Sequence, residues 1–537
     1  MPMPSQSARW IALALWTTLW LLVPTAAPAQ STADHSQYEI LQQPFASGPE
    51  VTKACLSCHT NAAQQIHGTI HWTWEYEHPL TEQTLGKRHV INSFCMGTAS
   101  NWPRCTSCHT GYGWEDDSFD FSAEDKVDCL VCHDGTGTYR KFPNMAGRVN
   151  TEPKRWPPGH GPVWEPPDLT RIAQSVEAPG RKQCGDCHYY GGGGDGVKHG
   201  HLDSSLNDAP RSVDVHMSPD GGDFTCQTCH TAGSHQIAGS RYFTKPSDAR
   251  GVVVPGQPDQ TRGTCQSCHG TEPHDGPRGR RLNAHGDTLA CTTCHVPTFA
   301  RGGRKTVTWW DWSTAGRVDD DGKPLIIEDA EGYPRYHYKK GTQHWEADVV
   351  PSYRWYSGEI RYTLLGHRID PSRVVPINRL SGDRTDPQAR IWPFKIMRGR
   401  QPYDAEHNIL GLPHLYGDDP DAFWKNFDWD KALRAGLLAR NVEYSGQHDF
   451  VETEFYWPVT HMVAPAEESL SCDACHAPQG RLSGVPGVYI AGQTPERLTD
   501  RLGWTLVLVS LGAVALHGSA RIVARVLRRL GWLKSGS

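Results

Sequence analysis

The sequence predicts a mainly α fold with long loops and few strands, followed by one C-terminal membrane-spanning helix. Three observations carry this. A Cys-x-x-Cys-His pentapeptide recurs along most of the chain. The chain holds 53 Gly and 39 Pro, a composition rich in loops. Leu502 to Ala520 is apolar, interrupted only by small or polar residues such as Thr505, Ser510, His517 and Ser519.

The N-terminus comes first. Arg9 precedes an apolar run from Trp10 to Val23, and Ala27-Pro28-Ala29 follows. A charged start, a short apolar run and a small-residue cleavage site define a secretory signal. The run is too short to cross a bilayer. Residues 1–29 are therefore expected to be removed, and the mature chain to work in the periplasm of a bacterium.

Residues 30–500 are expected to form one body. Seven motifs fall in 55–295, a Cys-free insert spans 301–460, and the eighth motif lies at 472–476. The cysteine pairs are Cys55/Cys58, Cys105/Cys108, Cys129/Cys132, Cys184/Cys187, Cys226/Cys229, Cys265/Cys268, Cys291/Cys294 and Cys472/Cys475. The histidines that follow them are His59, His109, His133, His188, His230, His269, His295 and His476. This spacing attaches a c-type haem: two thioethers hold the porphyrin and the adjacent His reaches its iron. Zinc does not call for a His after each pair, and redox disulfides do not come in eights. Eight covalently attached haems c follow, packed into a multihaem cytochrome c fold. Their apolar bulk offsets ordering costs of roughly 1–2 kcal/mol per residue in a loop-rich chain.

The insert carries aromatic stretches at Thr308–Trp312 and Tyr353–Tyr356, and one helical signal at Pro420–Ala439. Asp419 suits its N-cap, Pro420 its first position, and Leu433, Leu437 and Leu438 one face. Beyond the body, 502–520 makes roughly 28 Å of helix, the thickness of a hydrocarbon core. Arg521, Arg525, Arg528, Arg529 and Lys534 follow it, so the tail 521–537 is expected on the cytoplasmic side of the inner membrane. The recurrence of those arginines also suits an amphipathic helix lying on the membrane. The net charge of −6 is spread without a basic stripe, which excludes nucleic acid as a partner.

The sixth ligand separates a wire from a reactor, because a catalytic haem keeps one position open or weakly held. His71, His199, His216, His235, His274, His285 and His461 lie in the haem-bearing regions and are the candidate distal ligands. His35 and His517 are expected outside the folded body. The stretch Gly191–Gly200 is singled out because glycines let backbone approach a flat porphyrin. If it is extended, Lys198 and His199 point to opposite sides and serve two different haems. A solvated lysine in a flexible loop is the alternative.

Several longer segments resemble the octahaem tetrathionate reductase family, a branch of the multihaem group that includes nitrite reductases and hydroxylamine oxidoreductase. They are His71-Trp72-Thr73-Trp74, Asn92-Ser93-Phe94-Cys95, the Gly191–His199 stretch, Asp214-Val215-His216-Met217, Gly233-Ser234-His235, His285 leading into Cys291–His295, and His461–Pro465 leading into Cys472–His476. The resemblance implies seven bis-histidine haems and one catalytic haem with Lys198 as its distal ligand. That haem would be the second, bound by Cys105, Cys108 and His109. The resemblance also places Asp195 and the unpaired Cys95 beside it; a buried small hydrophobe is the plainer account of Cys95. The expected function is reduction of a small oxidised sulfur or nitrogen compound, such as tetrathionate, nitrite or hydroxylamine. Electrons would come from a membrane or periplasmic donor, a b-type cytochrome or quinol-linked protein. A hydroxylamine- or hydrazine-oxidising dehydrogenase and a non-catalytic electron conduit are the alternatives.

Overall fold

In the computed structural model the structure describes residues 33–159, 161–242, 264–490 and 497–532. The expected signal and Lys534 lie outside the described residues.

Between residues 33 and 300 the α-helices are short, from 4 to 10 residues. Motif residues sit on these turns, as at Leu130–His133, Arg181–His188, Cys226–Cys229, Cys291–His295 and, later, Cys472–His476. Positions three apart are neighbours on a helix, so one turn presents both sulfurs of a motif on one side. Helices this short are marginal alone. Buried aromatics such as Trp72, Trp114 and Phe94 hold them.

The Cys-free insert corrects the expectation of a mainly α fold with few strands. Helix makes up 29% of the structure and strand 18%, because the insert folds into a nine-stranded sheet. In chain order its strands are β1 Thr306–Asp311, β2 Ile326–Glu328, β3 Pro334–His337, β4 Gly341–Glu346, β5 Ser352–Tyr356, β6 Val375–Pro376, β7 Arg390–Asp404, β8 Ile409–Leu410 and β9 His448–Pro458. The order across the sheet is β6-β9-β7-β1-β4-β3-β2, with β5 and β8 also paired to β7. Strand β7 runs antiparallel to β9 from Phe394↔Pro458 to Asp404↔His448, and parallel to β1 at Arg398↔Trp309. Local pattern explains the strands. In β9, Val451, Thr453, Phe455 and Trp457 are buried while the residues between them are not. That period of two belongs to a half-buried strand.

The sheet docks on the second-motif region through polar contacts. The Gln401 side chain donates to the Asn92 carbonyl at 2.9 Å, and the Trp312 indole to the Ser93 carbonyl at 3.4 Å. Trp310 and Trp312 stack at 4.9 Å in the core behind this seam.

The helix expected at Pro420–Ala439 is divided into Phe423–Asn426 and Trp429–Leu438. Phe427 adopts a left-handed φ of 56° between them. Asp428 caps the second piece by accepting from the Lys431 amide, while Asp419 instead pairs with His414. Leu433 and Leu437 are buried, but Leu438 faces outward. The C-terminal helix spans Arg497–Arg529. Its stretch Leu498–Arg529 is long and apolar enough to cross a membrane, and none of its apolar window is buried in the body.

Candidate haem centres

Seven of the eight motif histidines each face one other histidine ring. The pairs are His59/His35 at 6.2 Å between ring centres, His133/His235 at 6.3 Å and His188/His71 at 6.1 Å. His230/His461 lie at 6.2 Å, His269/His216 at 6.0 Å, His295/His274 at 6.0 Å and His476/His285 at 6.3 Å. An imidazole nitrogen bonds a metal at about 2 Å, so two rings on opposite faces of one iron have centres roughly 6 Å apart. The other ring nitrogens support this reading. Nδ1 of His133 lies 2.9 Å from the Glu177 carbonyl, and that of His230 2.9 Å from the Ala238 carbonyl. Nδ1 of His235 meets Gln65 Oε1 at 2.8 Å, that of His274 meets Asn283 Oδ1 at 2.8 Å, and that of His285 meets the Arg281 carbonyl at 2.7 Å. An imidazole anchored at Nδ1 presents Nε2 to a metal. The residues present therefore fit haem iron.

Six of these partners are among the histidines picked out by sequence. His199 is not; its ring meets His201 at 5.5 Å and Trp457 at 5.0 Å. His35 takes the seventh place, which corrects its expected position outside the body. It lies on a single 3-10 turn, His35–Gln37, capped by the Asp34 carboxylate. A turn that short leaves no periodic signal.

His109 differs from the other seven. It is fully buried in a box of Trp72, Trp74, Trp114 and Phe119, with ring centres 4.8–5.6 Å apart across these contacts and the box. Its Nε2 is 2.7 Å from the Trp72 carbonyl, an acceptor that requires the N–H there. Burial, then the Lys141 charge, pushes its pKa down to about 3. The ring is thus neutral, the form in which an imidazole binds a metal.

Lys198 lies close by, within electrostatic reach of Cys108. Its Nζ sits 5.0 Å from the centre of the Trp457 ring. Burial, then the charges of Arg241 and Lys87, push its pKa well below the ordinary amine value. A neutral amine has the lone pair that a metal needs. The loop carrying it is a series of turns and bends, not an extended segment, and Lys198 and His199 both approach Trp457. Glycines impose the turns. Gly192 has φ 95°, and a Cβ there would meet the Phe94 ring and the Lys198 side chain at 3.2 Å. From β7, the fully buried Lys395 donates to the carbonyls of Val197 at 2.9 Å and Lys198 at 3.0 Å, and to Thr306 Oγ1 at 2.5 Å.

The two other candidates separate. Asp195 accepts from the Ser204 amide at 2.9 Å and hydroxyl, with Arg304 at 3.4 Å, so its oxygens brace the loop. Cys95 lies within electrostatic reach of Cys105 and of Lys340, whose Nζ donates to the Gly193 carbonyl at 3.2 Å. Arg241, Trp457, Lys340 and Lys395 were not picked out by sequence. They reach the loop from distant parts of the chain and belong to no short motif.

The motifs also touch one another. Side-chain contacts join Cys55 to Cys129, Cys108 to Cys187, Cys184 to Cys226 and Cys265 to Cys291. Cys132 lies near Cys184, Cys229 near Cys265, and Cys294 near Cys475. Motifs one, three, four, five, six, seven and eight form a continuous series, and motif two branches from motif four.

The attachment cysteines differ in exposure, and Cys58 and Cys268 stand at the open end of the range. Both residues are exposed, as are Cys229, Cys265 and Cys472, while the other motif cysteines are half-buried. Each of the two motifs forms a tight turn. The Cys58 amide donates to the Cys55 carbonyl at 3.1 Å, and the Cys268 amide to the Cys265 carbonyl at 3.2 Å. In each of these two motifs the first cysteine is the one that contacts a neighbouring motif, Cys55 with Cys129 and Cys265 with Cys291. The second cysteine is left on the outer side. Cys58 Sγ has the Ser57 hydroxyl at 3.8 Å beside it, on a residue that is itself exposed. Motifs one and six therefore reach the surface of the body.

A family model described as "Cytochrome c bacterial" matches residues 307–479. No curated protein matches the chain. Among solved structures, the crystal structure of octaheme cytochrome c from Shewanella oneidensis is similar over 87% of this chain and 98% of that one. The identity is 40% and the TM-score 0.73.

Proposed function

This chain belongs to the octahaem tetrathionate reductase family of multihaem c-type cytochromes, and from that premise we propose that it reduces a small oxidised sulfur or nitrogen compound, such as tetrathionate, nitrite or hydroxylamine, at an iron held by Lys198. One observation carries the reading: among the described residues, seven motif histidines have a histidine opposite, and the eighth, His109, has none. A desolvated lysine amine lies near the same motif instead. Lys198 is then the distal ligand of the second haem, on the side opposite the motif ligand His109. The haems supply one-electron relay and, at this iron, an exchangeable coordination position.

The protein's own groups do the rest. The cations Lys87, Arg241 and Lys340 draw an anion towards the loop, and Lys395 and the glycine turns fix where the Lys198 amine lies. The series of adjoining motifs leads electrons to motif four, next to the reactive site. Reduction of tetrathionate takes two electrons, breaks its central S–S bond and releases two thiosulfates. Electrons come from an inner-membrane donor, a b-type cytochrome or quinol-linked protein, and the exposed apolar helix at Leu498–Arg529 supports that placement.

Lys198→Ala tests the reading. The haem count should stay at eight, one haem should turn high-spin in paramagnetic resonance, and turnover of tetrathionate, nitrite and hydroxylamine should change together. Wild-type spectra with wild-type rates would sink the assignment and leave an electron conduit.

A further inference from the structure

Among the described residues, no carboxylate faces the half-buried Arg241. Its guanidinium carbon lies 4.4 Å from the centre of the Trp457 ring and 4.6 Å from that of Tyr242. Its Nη1 is buried and lacks a hydrogen-bond partner. A guanidinium does not shed its proton to escape this cost. Two aromatic rings replace part of its hydration, and the Tyr242 side chain takes one hydrogen bond, but Nη1 is left unanswered. Among the described residues its electrostatic neighbours are the phenols of Tyr242 and Tyr362, with no carboxylate. The nearest charge partner on the loop is Lys198, of the same sign. The Trp457 indole N–H is also buried without a partner.

One aromatic ring thus collects three groups. Trp457 carries Arg241 at 4.4 Å, the Lys198 amine at 5.0 Å and the His199 ring at 5.0 Å. A buried, unpaired charge is strongly unfavourable, and buried polar groups are almost always satisfied. The acceptor is therefore one that the described residues do not provide. We infer that Arg241, held on the Trp457 ring, anchors a buried oxyanion site beside Lys198. The guanidinium fork matches two oxygens of a sulfonate, nitrite or carboxylate group. Such oxygens have two sources: a free substrate anion, or a carboxylate of the porphyrin itself. This inference rests on the proposed role of Lys198 only for its place beside the reacting iron.

The test uses the oxidised holoprotein, in which tetrathionate binds without electrons to turn it over. Calorimetric titration with tetrathionate is compared for wild type, Arg241→Gln and Arg241→Lys, together with the haem potentials of each. Loss of charge-assisted hydrogen bonds predicts affinity weakened at least roughly tenfold in Arg241→Gln, with partial recovery in Arg241→Lys and unmoved potentials. That pattern assigns the site to substrate. Unchanged affinity with one shifted haem potential assigns it to the porphyrin carboxylate. Wild-type affinity and potentials in both variants overturn the site. Should Arg241→Gln fail to accumulate, Arg241→Lys decides alone, because it keeps the charge and loses the fork. Failure of the Lys198 assignment is read separately, from the spectrum of Lys198→Ala.

Discussion

At the scale of single residues, the reactive loop depends on a lysine that touches no haem motif. Lys395 is fully buried in β7 and holds the carbonyls of Val197 and Lys198. Lys395→Met keeps the bulk, strands the Lys198 carbonyl at a cost of roughly 1–3 kcal/mol, and leaves the Val197 carbonyl only the Thr306 hydroxyl at 3.4 Å. We expect a lower unfolding temperature and a perturbed resonance signal from one haem, with the bis-histidine signals unchanged. A variant that melts early but keeps every haem signal would reduce Lys395 to a structural role. The sequence exposed Lys198 because glycines crowd beside it, and exposed six of the distal histidines because they lie near motifs. It hid His35, which depends on one capped turn. It hid Arg241 and Lys395, whose roles exist only once a sheet built from residues 306–458 folds back on the loop. It also hid the outward setting of Cys58 and Cys268, because the pentapeptide is the same whether its second sulfur faces a neighbouring motif or solvent.

At the scale of elements, the insert was misread because its aromatics were noticed and their alternation was not. In β9 the buried Val451, Thr453, Phe455 and Trp457 alternate with Glu452, Glu454 and Tyr456, which is a strand's period. The interrupted helix has a similar cause. Phe427 turns left-handed and passes the cap to Asp428, whose carboxylate satisfies the Lys431 amide. Both Asp419-Pro420 and Asp428-Trp429 look like helix starts, and only packing of Leu433 and Leu437 decides between them. Asp428→Ala should weaken the first turn by about 1 kcal/mol. Hydrogen exchange measured by mass spectrometry should speed up at residues 429–432 and stay unchanged in β7. Equal protection in the variant would assign the helix's start to packing alone.

At the scale of the whole molecule, the body and the C-terminal helix are separable in chemistry. The apolar window of that helix is not buried against the body, so deleting residues 502–537 should release a soluble protein with all its haems and full activity with artificial donors. Loss of haems or of activity would show that the helix belongs to the folded core. The opposed histidine pairs have another consequence. Each one brings together stretches of chain that are apart in sequence, from His35 with His59 to His230 with His461. An iron between them is a cross-link, and closing loops in advance removes conformational freedom from the unfolded chain. Short motif helices have little intrinsic stability, so seven such cross-links act on a polypeptide that cannot order itself early. Maturation and folding are then one process: a chain without porphyrin has every residue of the native protein and lacks the cross-links that tie them together.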